Sequence, residues 1–289
     1  QIRKNGHYKN GTQRYLCKDC HATFTSTHGT ILANTKLPAL VWLKYLIIMD
    51  QDEDLRDCAH YAGVSLKCSF YMRHKILNAM SNQMNDVQLE GIVELDEMRV
   101  NISYSGNHVK QNCCNKLPRN SYKRGRKGQK HKYDDKITDA VQIAGAVDRS
   151  GNIYLKVAKI GTTSLDSETV KKVYAQALKC ATTLCTDGLY VYRELSKEYG
   201  LQHYSFPKKS KEKRGIYHIN HINYIHSKIK EYMRKHTGIS SKYLDEYLSL
   251  IAYTIKNKQR NLHDNFVNIY QYPCTFRRAQ YIGTPFLIE

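Results

Sequence analysis

The sequence predicts an α/β chain: a mixed β-sheet flanked by helices, preceded by a small β segment and a helical region. Three observations predict it. Apolar, β-rich runs lie on either side of a basic loop between Gly91 and Gly161. From Ser167 onward, segments with apolar residues at helical spacing are separated by short strand-like runs. Residues 35–88 carry helical spacing and turn signals without strands.

The strand region begins with "GIVELDEMRVNI", which places Asp96 inside an apolar run. A carboxylate there is costly to bury unless it is paired or bound to a metal. Its neighbour Glu97 is expected on the opposite face, because strand side chains alternate. "DAVQIAGAVDRSGNIYLKVAKIG" reads as a hairpin, with Val141, Ile143 and Val147 before the turn "DRSGN" and Ile153, Leu155 and Val157 after it. "SETVKKVYAQALKCA" is a helix on the spacing of Val170, Val173, Tyr174, Ala177 and Ala181. "TTLCTDGLYVYRELSKEYG" gives a short strand, Asp187 at its end, and a helix closed by Gly200; "LQHYSF" is one more strand.

Two helices follow. In "YHINHINYIHSKIKEYM", Ile222, Ile225, Ile229 and Met233 form a packing stripe, and Asn223, His226 and Lys230 form a polar row beside it. "GISSKYLDEYLSLIAYTIKN" turns Leu244, Leu248, Ile251 and Ile255 inward, with Asp245 and Glu246 expected in solvent. Residues 263–289 show no clear motif and are expected to be a C-terminal tail.

The order strand, strand, strand, helix, strand, helix, strand, helix matches the ribonuclease-H-like layout. In that layout the first and fourth strands are central neighbours, so Asp96 and Asp187 are expected side by side, with the "HINYIHSKIK" helix across their ends. Paired carboxylates hold one or two hard divalent ions, magnesium or manganese, and serve phosphoryl transfer on nucleic acid.

The amino-terminal segment 1–34 carries Cys17 and Cys20 as a C-x-x-C knuckle between the aromatic residues Tyr15 and Phe24. A tetrahedral zinc site needs four ligands. Either a second pair lies upstream, making this an incomplete zinc ribbon, or these cysteines are not ligands. The chain starts at Gln1, which points to a fragment or a processed product. In residues 35–88, Pro38 suits the first turn of a helix whose face is Leu40, Leu43 and Ile47. "EDLRDCAHYAGVSLKCSFYMRHKILNAM" then reads as helix, turn, helix. Gly63 breaks the first helix, Ser65 caps the second, and Lys67, Arg73, His74 and Lys75 face outward. It is a helix-turn-helix with a basic second helix, or else a plain helical hairpin.

Formal net charge is +19 over 289 residues, which favours a polyanionic partner, with nucleic acid first. "RNSYKRGRKGQKHK" has seven Lys or Arg and no acid, and "KKSKEKRG" has five against one Glu. Arg124, Arg126, Lys127, Lys208 and Lys209 in these loops are candidate phosphate contacts, together with Lys67, Arg73 and Lys75. No run approaches the roughly 18 apolar residues of a membrane span. Nine cysteines, an odd number without regular spacing, fit a reducing, cytoplasmic setting. Cys58, Cys68, Cys180 and Cys185 are expected as small core residues.

On the segments "QRYLCKDCHATFT", "VELDEMRV", "VDRSGN", "LCTDGLYVYREL", "HINYIHSKIK" and "GISSKYLDEYL", the chain resembles bacterial insertion-sequence transposases of the DDE superfamily. The resemblance spans nearly the whole chain. It is to the group with an amino-terminal zinc ribbon and helix-turn-helix, in which Asn often replaces the final Glu. It implies a catalytic domain over 89–262, metal-dependent cleavage at element ends, joining to target DNA, and paired protomers on paired ends. Carried over by position, Asp96 and Asp187 match the first two acids, Asn223 the third, and Lys230 the basic residue after it. His226 remains the rival third ligand. A catalytically inactive DNA-binding remnant and a nuclease that hydrolyses without joining are the competing readings.

Overall fold

The computed structural model describes residues 1–105, 140–162, 164–207, 215–258 and 261–276, without the side chains of Leu262 and His263. They divide into two compact units, one of Gln1–Gln83 with the returning segment 261–276, the other of Met84–Lys258.

The second unit is built on a five-stranded sheet. Its strands are β4 (Glu90–Asn101), β5 (Ala140–Asp148), β6 (Ile153–Ile160), β7 (Cys180–Thr186) and β8 (Gln202–Ser205), in the order β6-β5-β4-β7-β8. β4, β5 and β6 are antiparallel neighbours, while β7 and β8 run parallel to β4. That mixed order, 3-2-1-4-5 within the unit, is the ribonuclease-H-like layout expected from the element sequence. Helices α4 (Ser167–Tyr174) and α5 (Tyr190–Glu198) cover one face, over Val93, Leu95, Ala144 and Ala146. Helices α6 (Asn220–Lys235) and α7 (Leu244–Lys256) cover the other, over Met98, Val141, Ile143 and Val147. The alternation along β4 and β5 thus feeds two separate cores. The predicted stripe of α6 is inside, with Ile222, Ile225 and Ile229 buried and Met233 partly so.

Three local expectations are corrected. α4 ends at Tyr174, because the chain must reach Cys180, which pairs with Glu90 at the start of β7. Ala177 is buried in the connection, and its carbonyl accepts from Leu89 N at 2.8 Å. Cys180 is exposed at the strand's first position, not a core residue. Asp245 does not face solvent: its carboxylate accepts from Val157 N at 2.6 Å and ties α7 to β6, and burial raises its pKa.

The first unit opens with the antiparallel sheet β1 (Ile2–His7), β2 (Gln13–Cys17) and β3 (Thr23–Phe24). Tyr15 and Phe24 stack across it with centroids 5.9 Å apart. Helices α1 (Ala39–Asp50), α2 (Leu55–Ala62) and α3 (Leu66–Met84) follow, and α8 (Leu262–Gln271) returns to the unit from the far end of the chain. The segment expected as a tail from 263 is therefore helical to Gln271 and ordered against α3 beyond it. Asn82 Nδ2 donates to the Pro273 carbonyl at 2.9 Å, and Cys274 N donates to the Gly29 carbonyl at 2.7 Å.

α2 and α3 form a helix, a short turn and a helix. Asp54 caps α2 through the amides of Arg56 and Asp57, Gly63 ends it at φ +66°, and the Ser65 hydroxyl accepts from Cys68 N. α1 buries Trp42, Tyr45, Leu46 and Met49, whereas Leu40 is exposed. The helix is apolar nearly all round, so spacing alone did not select its packed side.

The basic residues of α3 are the larger correction. Lys67 is exposed, but Arg73 and His74 are buried and Lys75 is half-buried. Arg73 Nη2 donates to the Glu53 carbonyl at 2.8 Å and lies 3.0 Å from Cys58 Sγ. Lys75 donates to the Ala33 carbonyl and sits 5.6 Å above the Trp42 ring, and burial lowers its pKa. α3 is covered on one side by α2 and on another by residues 273–276, which leaves no basic face at these positions. Arg124, Arg126, Lys127, Lys208 and Lys209 lie outside the described residues.

Replacing Arg73 removes bonds that tie α3 to the start of α2. Arg73→Ala is expected to destabilise the protein by about 2–4 kcal/mol in urea denaturation. Unchanged stability in Arg73→Ala would show that Arg73 does not tie α3 to α2.

Candidate active site

The parallel pairing of β4 with β7 sets Leu95 opposite Thr186. The next residue on each strand is an aspartate. Asp96 is 8% exposed within β4, and Asp187 follows the last residue of β7. Gly188, at φ +94°, turns the chain there in a conformation that L side chains rarely adopt. Carboxylate oxygens of Asp96, Asp187 and Glu97 all lie within 4.8 Å of one another. Three hard oxygen donors at that spacing suit magnesium or manganese, so the residues present fit such an ion.

Glu97 was expected only to point away. It does reach the α5 side, where Tyr192 Oη donates to its Oε2 at 2.7 Å. A Glu97 carboxylate oxygen nevertheless belongs to the acidic cluster. Tyr192 and Tyr174 are buried beneath it, and burial holds both phenols protonated well above their usual range.

From the opposite face α6 lays His226 against Asp96, with Nδ1 3.5 Å from Asp96 Oδ2. His226 is 6% exposed; burial, and then the charge of Lys230, lower its pKa to about 4. The imidazole is uncharged at neutral pH, so this contact is not an ion pair. Nε2 is buried without a hydrogen-bond partner among the described residues. A proton on Nδ1 presents N–H to the carboxylate and leaves Nε2 as a bare lone pair, the less costly tautomer here. Asn223, one turn earlier in the same row, and Lys230, one turn later, are both exposed.

The close approach of α6 depends on Gly145, which pairs with Asp96 across β4 and β5. A Cβ on residue 145 would stand 2.9 Å from Ile222 Cδ1 and 3.1 Å from His226 Nε2. The glycine is a notch that admits the helix.

A second group escaped sequence reading. Glu94, two residues before Asp96 on the same face, is fully buried and meets His218 and His221. Nothing local in the sequence joins those histidines to a strand more than 120 residues earlier. The only sequence signal was a second carboxylate in "VELDE", at the alternation that shares Asp96's face. Cys17 and Cys20 sit at the turn after β2, where backbone N–H groups of Cys20 and Asp19 lower the Cys17 thiol pKa. Among the described residues, neither belongs to a cluster of three or more metal-ligating side chains.

The ISXO2-like transposase domain matches residues 88–255, more than half of the chain. The chain belongs to this transposase family. An uncharacterised protein of the transposable element ISH50 from Halobacterium salinarum is 26% identical over 239 residues, covering 82% of this chain and 76% of that one. The structure is also similar to Mos1 transposase in a pre-cleavage transpososome (12% identity, TM-score 0.24, 80% of this chain and 78% of that one) and in a strand transfer complex (12%, 0.26, 83% and 81%). The fold assignment of this transposase domain rests on its own strand order. Among the described residues no helix is long and apolar enough to cross a membrane.

Gly145→Ala is expected to lower stability by about 1–3 kcal/mol through overpacking against α6, and Gly145→Val by more, in urea denaturation. A stable Gly145→Val protein would show that α6 does not depend on the notch.

Proposed function

We propose that this chain is an active transposase that cuts DNA at the ends of an insertion sequence and joins the freed ends to target DNA. The observation that carries the reading is the juxtaposition of Asp96 and Asp187 by the β4–β7 pairing. Asp96 and Asp187, with Glu97 beside them, would hold magnesium or manganese. When bound, that ion lowers the cost of charge on the attacking and leaving oxygens of an in-line phosphoryl displacement. Asn223 is the proposed third donor and offers a neutral amide oxygen. His226 holds Asp96 in place through Nδ1, and its neutrality keeps the carboxylate's charge available to a cation. Lys230 is the phosphate contact of the row, a point charge on a flexible stem.

The first unit is the proposed DNA-binding part. Lys67 on α3 supports that reading, and Arg73 and Lys75 do not. Cys17 and Cys20 would supply two of the four ligands of a zinc ribbon, and the lowered Cys17 pKa suits a thiolate. Element-end and target DNA are the proposed partners, with two or more protomers acting together on paired ends.

Labelled element-end DNA with magnesium or manganese tests this reading. Joined products are expected. Cleavage without joining would make the protein a nuclease, and binding without reaction, unchanged by Asp96→Ala, a DNA-binding remnant. Asp96→Asn and Asp187→Asn should each reduce joining by about a thousandfold or more, the scale of a lost charge-stabilising group. In the same assay Asn223→Ala is expected to be the more damaging substitution of the polar row. Full activity in Asn223→Ala, with none in His226→Ala, would make His226 the third donor.

A further inference from the structure

We infer that Glu94 and Arg149 form an anchor that fixes the first turn of α6 and thereby positions the α6 row over Asp96. The inference rests on the transposase reading for its catalytic consequence, but its structural part stands alone.

Glu94 is a carboxylate with no exposure in the central strand of the sheet. An ion in that position is tolerated only when it is paired and its oxygens are bonded. Both oxygens are engaged. Oε2 accepts from the amide of Ile222 at 3.0 Å, which is one of the first-turn N–H groups of α6 that lack a partner within the helix. A negative charge at a helix N-terminus is favourable in itself. α6 has no side-chain cap of its own, since Ile219 stands at the cap position. The strand carboxylate takes over that task.

Oε1 is bound by Arg149, and His221 Nδ1 lies 2.8 Å and His218 Nδ1 3.2 Å from it. Arg149 also grips the approach to the helix, donating from Nη2 to the Ile216 carbonyl at 2.8 Å and the His218 carbonyl at 3.4 Å. The arginine is itself held by the β5–β6 turn. Asp148 accepts from Asn152 N at 2.9 Å, from Asn152 Nδ2 at 2.8 Å and from Glu90 N at 3.1 Å, so the "DRSGN" turn is fixed at both ends. The chain of contacts runs from turn to arginine to carboxylate to helix, and α6 then carries His226 to Asp96 one turn later. With both oxygens engaged by the helix, the arginine and the histidines, Glu94 is a positioning residue.

The test combines hydrogen exchange with strand transfer in the full chain. Glu94→Gln keeps the shape and one acceptor oxygen but removes the charge; where Glu94→Ala fails to fold, Glu94→Gln carries the test. Exchange of the Ile222 and Asn223 amides is expected to rise at least tenfold in Glu94→Gln, while the β5 amides of Ile143 and Ala144 stay protected. Joining of pre-cleaved ends should lose at least tenfold in kcat, with KM for DNA within twofold of the wild type. Unchanged exchange at Ile222 would overturn the anchor, as would equal loss of protection in β5, which would make Glu94 a general core residue. A raised KM with kcat preserved would overturn the positioning role. If the wild-type protein joins no DNA, the transposase reading fails, and the exchange result alone decides whether the anchor exists.

Discussion

Strand β4 carries three carboxylates in four residues and lies in the middle of a sheet covered on both faces. That is the constraint around which the second unit is built. Leaving Glu94, Asp96 and Glu97 unpaired in such a place would cost more than a domain's whole margin of stability. Each is accommodated differently. Glu94 is wrapped by an arginine, two histidines and a helix amide. Glu97 receives a buried tyrosine hydroxyl from α5. Asp96 lies beside Asp187 and the His226 imidazole.

This arrangement also accounts for the helices. α6 packs its isoleucines over Val141, Ile143 and Met98, and burial of that stripe supplies the attraction. Attraction alone leaves a helix free to slide or tilt on a smooth apolar sheet. Gly145 sets the depth of approach, and the buried carboxylate sets the helix's longitudinal position. Asp245 does the corresponding work for α7 by accepting from a β6 amide. Polar contacts here contribute registration more than net affinity.

The central sheet was legible because its signals are local. Alternation in "AVQIAGAVD" and "IYLKVAKI", a turn rich in Asp, Ser, Gly and Asn, and the isoleucine spacing of α6 each lie within one window. The pairing of Asp96 with Asp187 followed from element order. What stayed hidden depends on contacts distant in sequence. Lys75 looked solvated because Cys274, which packs beside it, comes 199 residues later. Glu94 looked like one more polar strand position because its partners lie 55 and 127 residues away. Leu40 looked buried because α1 is apolar on nearly every side, and periodicity has no preferred face to report. α4 looked longer than it is because Ala177 and Ala181 keep helical spacing while the β4–β7 pairing claims the chain.

The return of α8 to the first unit has a consequence for how the chain is made. On the ribosome, residues 1–83 emerge early but lack the strip that covers α3, because Pro273, Cys274 and Thr275 are synthesised only after residues 84–258. Domains generally fold as units as they appear. Here the sheet unit can close first, while the amino-terminal unit waits with Trp42, Met72 and Lys75 incompletely covered. Nascent chains stalled before Pro273 would thus carry a finished sheet beside an unfinished helical layer. The part proposed to hold DNA matures last, although it is translated first.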